Sequence, residues 1–269
     1  MVEKYKYLDS FIDKLRANGK YSFTTKGLHS QLGVSEDALN KTLQRLKNQK
    51  SVVMVRRGFY VVVPPEYRVK GIIPTSLYIN DLMSFLDRDY YVGLLNAAAY
   101  HGAAHQQPQN YSIITEGISL RPIKNDKVDI HFYSKKAWDK GGIVKKKVET
   151  GYINISSPEL TALDLVSYYN EVGGFNRVAT VIEELRDVIQ AEKLVKSAEK
   201  YGQIVVVQRL GYILECVLDE QELSTALYNY LEPIAHYSVL LRPQRKKPGN
   251  MIINNKWKIV PNVEIEADI

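Results

Sequence analysis

Apolar residues in the first 63 positions recur at helical spacing three times and then change to strand-like runs. Leu8, Phe11, Ile12 and Leu15 fall at i, i+3, i+4 and i+7, which predicts a helix over Lys4–Ala17 with one apolar face. Asn18-Gly19 ends it, since both residues tolerate the left-handed conformation of a helix stop. Tyr21-Ser22-Phe23 reads as a short extended piece. Thr24 or Thr25 can cap a second helix, Lys26–Leu32, by accepting from its free N–H groups. Gly33-Val34 reads as a tight turn. Ser35 can cap a third helix, and Glu36 and Asp37 suit the positive end of its dipole. Leu39, Leu43 and Leu46 form the buried stripe of that helix. Val52–Val55 and Phe59–Val63 are β-rich runs, with Arg56-Arg57-Gly58 between them as a hairpin turn and Pro64-Pro65 closing the unit.

Two short helices joined by a Gly-containing turn make a helix-turn-helix pattern, and a hairpin directly after it reads as a wing. At 100° per residue, Asp37, Lys41, Gln44, Arg45 and Asn48 point away from the leucine stripe. Such side chains read base edges or bind phosphate. The candidate DNA-contacting residues are therefore Ser35, Asn40, Lys41, Gln44, Arg45 and Asn48 of the third helix, with Arg56 and Arg57 of the hairpin. An ordinary solvated helix face would look the same if taken alone. Charge adds to the picture. The chain carries +6 overall, but residues 1–70 hold 14 Lys/Arg against 6 Asp/Glu, and residues 71–269 hold 22 against 24. A basic module joined to a near-neutral body points to a polyanion partner at one end.

Beyond this module, Glu66–Pro74 reads as a linker with a short extended stretch. Helices are predicted from Thr75 to about Leu86, over about Asp89–His101, from Pro158 to Tyr169, and over Phe175–Leu185, Glu192–Tyr201, Ile204–Leu218 and Glu222–Leu231. Strands are predicted at Tyr111–Thr115, Val128–Tyr133, Val148–Ile155, His236–Leu241 and Trp257–Val260. The expected fold class is α+β: an N-terminal winged helix-turn-helix over residues 1–65, a linker at 66–74, and a larger mixed α/β domain over 75–269.

Three blocks in this order, RRGFYVVVP at Arg56–Pro64, YYVGLLNAAAYHGAAHQQPQ at Tyr90–Gln109 and ISSPELTALDLVSYYNEVGG at Ile155–Gly174, are the residues by which the chain resembles the AbiEi family. These are antitoxins and transcriptional regulators of type IV toxin–antitoxin (abortive infection) systems, which link them to phage resistance. The resemblance spans roughly residues 5–230. It implies a cytoplasmic repressor whose winged helix binds inverted repeats in double-stranded DNA upstream of its own operon. It also implies an antitoxin domain that neutralises a nucleotidyltransferase-like toxin without a stable complex. The resemblance implies no catalytic residue and no cofactor.

The remaining chemistry is sparse. Cys216 is the only cysteine, so neither an intrachain disulfide nor a cysteine zinc site is open to this chain. Beside Leu214 and Val217 it reads as a buried thiol. His101 and His105 are four apart, but Gly102 breaks the helix between them, and ordinary loop or core histidines fit better than metal ligands. No P-loop, no dinucleotide fingerprint and no nucleophile elbow is present. Ser156, Ser157, Thr161 and Asp164 read as capping residues. No apolar run approaches the ~20 residues of a membrane span, and MVEKYKYLDS lacks the apolar core of a signal peptide. Two further basic runs, Lys145, Lys146, Lys147 and Arg245, Lys246, Lys247, fit solvated edges, a second phosphate contact or a toxin-facing patch. Two functions outside autorepression compete. One is an interaction protein whose winged helix docks on protein and which binds a toxin directly, without sequence-specific DNA recognition. The other is a DNA-processing enzyme, disfavoured by the lack of clustered acidic and histidine residues.

Overall fold

The computed structural model describes residues 2–33, 35–103, 108–243 and 253–267. In chain order the elements are α1 (Val2–Ala17), β1 (Ser22–Thr24), α2 (Thr25–Leu32), α3 (Glu36–Asn48), β2 (Val52–Arg56), β3 (Phe59–Val62), α4 (Ile79–Phe85), β4 (Tyr90–Val92) and α5 (Leu94–Tyr100). Then come β5 (Tyr111–Glu116), β6 (Ile123–Lys124), β7 (Asp129–Lys135), β8 (Ile143–Val148), β9 (Gly151–Ser156), α6 (Pro158–Ser167), α7 (Phe175–Leu185), α8 (Ala191–Tyr201), α9 (Ile204–Tyr212), α10 (Gln221–Leu231), β10 (Val239–Leu240) and β11 (Ile259–Val260). The composition is mixed α+β. Residues Met1–Tyr90, Gln109–Lys135 and Lys145–Ile153 form one compact unit, and the rest a second.

In the first unit, local chemistry places the helices where the apolar spacing does. Gly19 ends α1 at φ 66. Thr24 caps α2, its hydroxyl accepting from Gly27 N at 3.0 Å. Gly33 ends α2 in the left-handed conformation, its N–H donating to His29 O. Three strands follow the order β1-β3-β2, all antiparallel. Leu8, Ile12, Phe23, Leu28, Leu39, Leu43, Leu46, Val52, Tyr60 and Val62 pack into one core against them. Phe23 stacks on Tyr60 with centroids 5.5 Å apart and receives the edge of Phe11.

The segment 66–74 differs from the expected extended stretch. It opens as a 3-10 turn, Pro65–Tyr67, and Gly71 N–H donates to Tyr67 O at 2.8 Å. The Pro-Pro entry and the glycine favour a compact turn there, and buried Ile73 fastens its end. Asp81 at the start of α4 accepts from Ser22 at 2.5 Å, and Phe85 packs on Phe59. Farther along, β5 and β7 run parallel in six-residue register, with β6 antiparallel to β7.

In the second unit, β4 and β9 pair in parallel through Val92 and Ile155. The helix expected over Asp89–His101 begins as strand. Tyr-Tyr-Val favours pairing, and extended Gly93 (ψ -172) separates β4 from α5. The single strand expected over Val148–Ile155 divides between β8 and β9, because Gly151 (φ 122) turns the chain. The helix expected over Ile204–Leu218 is α9 followed by a π-helical turn, Ile213–Val217. Helix α6 is buried all round, with Leu160, Ala162, Leu163, Leu165 and Val166 in contact with α5, α7, α8 and α9. Its Ser157 caps it, accepting from Leu160 N.

Candidate nucleic-acid interface

Helix α3 presents two faces of opposite character. Leu39, Leu43 and Leu46 are 2% exposed, while Asn40, Lys41, Gln44 and Asn48 are exposed. Ser35 spends its hydroxyl as the N-cap, accepting from Ala38 N at 3.4 Å. Gln44 donates its amide to Asn48 Oδ1 at 3.1 Å, so two polar side chains one turn apart are held in one arrangement. Arg45 is half-buried, and its guanidinium reaches Asp9 of α1 at 3.3 Å and Gln49 at 3.5 Å. Lys41 and Gln44 are thus the more available members of the face, and Arg45 already has an acidic partner. Helical spacing does not disclose that partner, which lies 36 residues away.

The hairpin tip is tight. Register shifts between Met54 and Arg56, and the turn itself is Arg57-Gly58 with Gly58 at φ 85. Gly58 O accepts from Thr25 N, the first residue of α2, at 2.9 Å. Arg57 is exposed and Arg56 is half-buried. One arginine is therefore offered to solvent at the tip, on a backbone tied to the helix-turn-helix behind it.

Of the secondary basic runs, Lys145, Lys146 and Lys147 are all exposed on β8, where alternation sends Lys146 to the face opposite its neighbours. Arg245, Lys246 and Lys247 lie outside the described residues, as does His105. His101 contacts Ser156 O through Nε2 at 2.7 Å. Among the described residues no group of three or more His, Cys, Asp or Glu is placed to hold a metal ion.

The second unit holds a buried carboxylate that the capping reading of Asp164 misses. Asp164 stands mid-helix in α6, fully buried, and accepts from Tyr91 at 2.8 Å and Tyr201 at 3.0 Å on its two oxygens. Burial, then the Asp164 charge, pushes both tyrosines well above their usual range. The sequence signal was present: a helix apolar on every side must bury whatever polar residue it carries.

The chain end is fastened by a similar arrangement. Trp257 is fully buried and donates to Glu215, which also pairs with Lys256 at 2.7 Å. Burial raises the Glu215 carboxyl, but hydrogen bonds from Lys256 and Trp257 outweigh that and hold it below its usual range. Gln208 bonds Tyr237 O and Trp257 O, both at 3.0 Å. Cys216 is exposed, contrary to the helical-face reading, because the π-helical turn alters which side chains face inward. Partial burial of its sulfur and the adjacent Glu215 charge raise its thiol pKa, which disfavours the nucleophilic thiolate.

Residues 91–216 match the model of the AbiEi antitoxin C-terminal domain. The chain carries an AbiEi antitoxin domain. That domain supports a role in a toxin–antitoxin system, and it begins at β4 and ends within the π-helical turn that carries Glu215. The AbiEi domain thus contains Asp164 and both tyrosines bound to it, whereas Trp257 lies beyond the matched residues. No curated protein matches the chain significantly. Among solved structures, the crystal structure of the RV2827C protein from Mycobacterium tuberculosis is similar at a TM-score of 0.67, with 14% identity, over 95% of this chain and 91% of that one. The two share a fold along nearly their full lengths. An antigenic nucleotidyltransferase-like protein from Paracoccidioides brasiliensis aligns at a TM-score of only 0.32 with 12% identity, over 55% of this chain and 88% of that one. Among the described residues no helix is long and apolar enough to cross a membrane.

Proposed function

We propose that the protein is a cytoplasmic antitoxin that also represses its own operon. In this reading residues 1–65 are a winged helix-turn-helix for double-stranded DNA, 66–74 a linker, and 75–269 the antitoxin domain. Its work is regulatory rather than catalytic, and it needs no cofactor. The observation that carries the DNA reading is the pairing of a leucine-anchored α3 with an outward face of Asn40, Lys41, Gln44 and Asn48, directly followed by an arginine-tipped hairpin. The +8 charge of residues 1–70 supports it, because neutralised phosphates release counterions. The AbiEi domain supports the antitoxin half. The toxin partner is proposed to be nucleotidyltransferase-like, as the family resemblance implies, with no stable complex.

A second reading, a winged helix that docks on protein, is favoured by one observation: Asp9 occupies Arg45 and lowers the positive potential of the face. The deciding experiment replaces Lys41 and Gln44 with Ala in the full chain, expressed from an unrelated promoter. Each lost base contact costs about 1–3 kcal/mol. The variant is expected to lose operator binding and repression while still protecting cells from the toxin. Loss of protection in a folded variant would defeat the two-module reading. Unchanged operator binding would defeat α3 as the reading helix.

A further inference from the structure

The close approach of Lys127 to Gly71 brings together basic residues that lie far apart in sequence. Gly71 has φ 72, and a methyl group added there would stand 3.1 Å from Lys127 Cε and 3.2 Å from its Nζ. The lysine ammonium therefore lies directly over the Gly71 backbone. Lys70 is the next residue, and Arg68 belongs to the same turn, closed by Gly71 N–H on Tyr67 O. On the other side, Asn125 holds the β6–β7 turn rigid, its side-chain oxygen accepting from Lys127 N and Val128 N, both at 2.9 Å. Arg68, Lys70 and Lys127 are all exposed. None of them forms an ion pair among the described residues. This differs from Arg45, held by Asp9, and from Lys124, held by Asp129 at 3.7 Å. Glu66 and Asp126 lie in the same two turns and pair with none of the three cations.

We propose that Arg68, Lys70 and Lys127 form a second phosphate-contact surface for double-stranded DNA, additional to α3 and the β2–β3 hairpin. Three exposed cations on two turns that meet at Gly71 raise the local positive potential, which attracts an anion. Two locked turns present the cations on fixed backbone, so little order is lost when a phosphate arrives. Lysine and arginine contacts of this kind position a duplex and carry no base identity. The surface would grip the backbone beyond the bases that α3 reads. It also gives the segment expected to be a linker a role in binding. The inference rests on the DNA-binding reading above.

The test uses the full chain, with Arg68, Lys70 and Lys127 all replaced by Ala, and a Lys127→Arg variant as the conservative control. Binding to the upstream DNA and to an unrelated duplex of equal length is measured from low to moderate salt. Each lost phosphate contact flattens the log–log salt dependence by about one. The triple variant is expected to show a slope shallower by about two to three and roughly tenfold weaker binding at low salt, by the same factor on both duplexes. Lys127→Arg should match the wild type. Unaltered slope and affinity in a triple variant with a wild-type thermal midpoint would overturn the second surface and leave the α3 reading standing. A loss confined to the upstream sequence would overturn it too, since phosphate contacts do not discriminate. Failure of the wild type to bind either duplex would remove both readings together.

Discussion

Trp257 lies so close to Gly211 that a methyl group on that glycine would overlap its ring. The indole occupies the space a side chain on α9 would take, and its N–H donates to Glu215 one turn farther along. The matched AbiEi residues stop at 216, but the residue that fills this notch comes from the chain end. The stretch around Trp257 is thus a packed part of the second unit.

Two stability outcomes follow from that notch. A glycine in a helix interior ordinarily gains up to ~1 kcal/mol on replacement by Ala. Gly211→Ala should instead lower stability, because the added methyl expels Trp257. Trp257→Ala should cost about 3–5 kcal/mol, as expected for emptying a large buried side chain. Urea unfolding of the two variants checks both, and a stabilised Gly211→Ala would contradict the packing.

The buried Asp164 carboxylate depends on two phenols. Tyr91→Phe and Tyr201→Phe should each lower stability by about 1–3 kcal/mol, since each removes a hydrogen bond from a charge that water cannot reach. The same tyrosines make stability fall in alkali. Their folded pKa values are raised above the unfolded value of 10.0, so above that pH the unfolded chain has lost protons that the native state still holds. Their contribution is complete below pH 10 and declines above it, by about 1.4 kcal/mol per pH unit for each tyrosine. Tyr78, pushed up to about 12 by burial, adds to the trend. Thermal midpoints measured from pH 8 to 11 should fall less steeply in the Phe variants.

The pairing of Arg45 with Asp9 sets up a competition. An exposed ion pair of this kind is worth ~0–1 kcal/mol to the fold. Asp9→Asn should therefore leave stability nearly unchanged and remove the negative charge beside Arg45 at the edge of the α3 face. DNA affinity is expected to rise a few-fold at low salt. Weaker binding by Asp9→Asn would instead mark Asp9 as the residue that holds Arg45 in its working position.

The turn at Gly71 is needed for its conformation as well as for the approach of Lys127. Gly71→Ala should cost about 1–2 kcal/mol through its left-handed backbone, and displace Lys127. Its DNA salt dependence should fall toward that of Lys127→Ala, whereas Gly19→Ala, at a similar φ with open space around it, should leave the salt dependence unchanged.

Most of the first module can be read from the residues in order. Thr24, Gly33 and Ser35 act within three or four positions of themselves, and the leucine stripe of α3 repeats with the helix. These are local rules, so position in the chain is enough to apply them. The candidate face follows in the same way, and Lys41, Gln44 and Asn48 emerge where the 100° rotation puts them. Strand pairing is different. The runs over Asp89–His101 and Val148–Ile155 are misread because their conformation depends on a partner or on one turn: Val92 meets Ile155 63 residues later, and Gly151, at φ 122, turns the chain between two strands. Arg45 with Asp9, Asp164 with Tyr91 and Tyr201, Gly71 with Lys127, and Trp257 with Gly211 are contacts of the same long-range kind. Spacing along the chain records the face a residue occupies. Only the folded backbone brings two distant faces together, and there burial and charge decide which side chain is already paired and which is left to meet a partner.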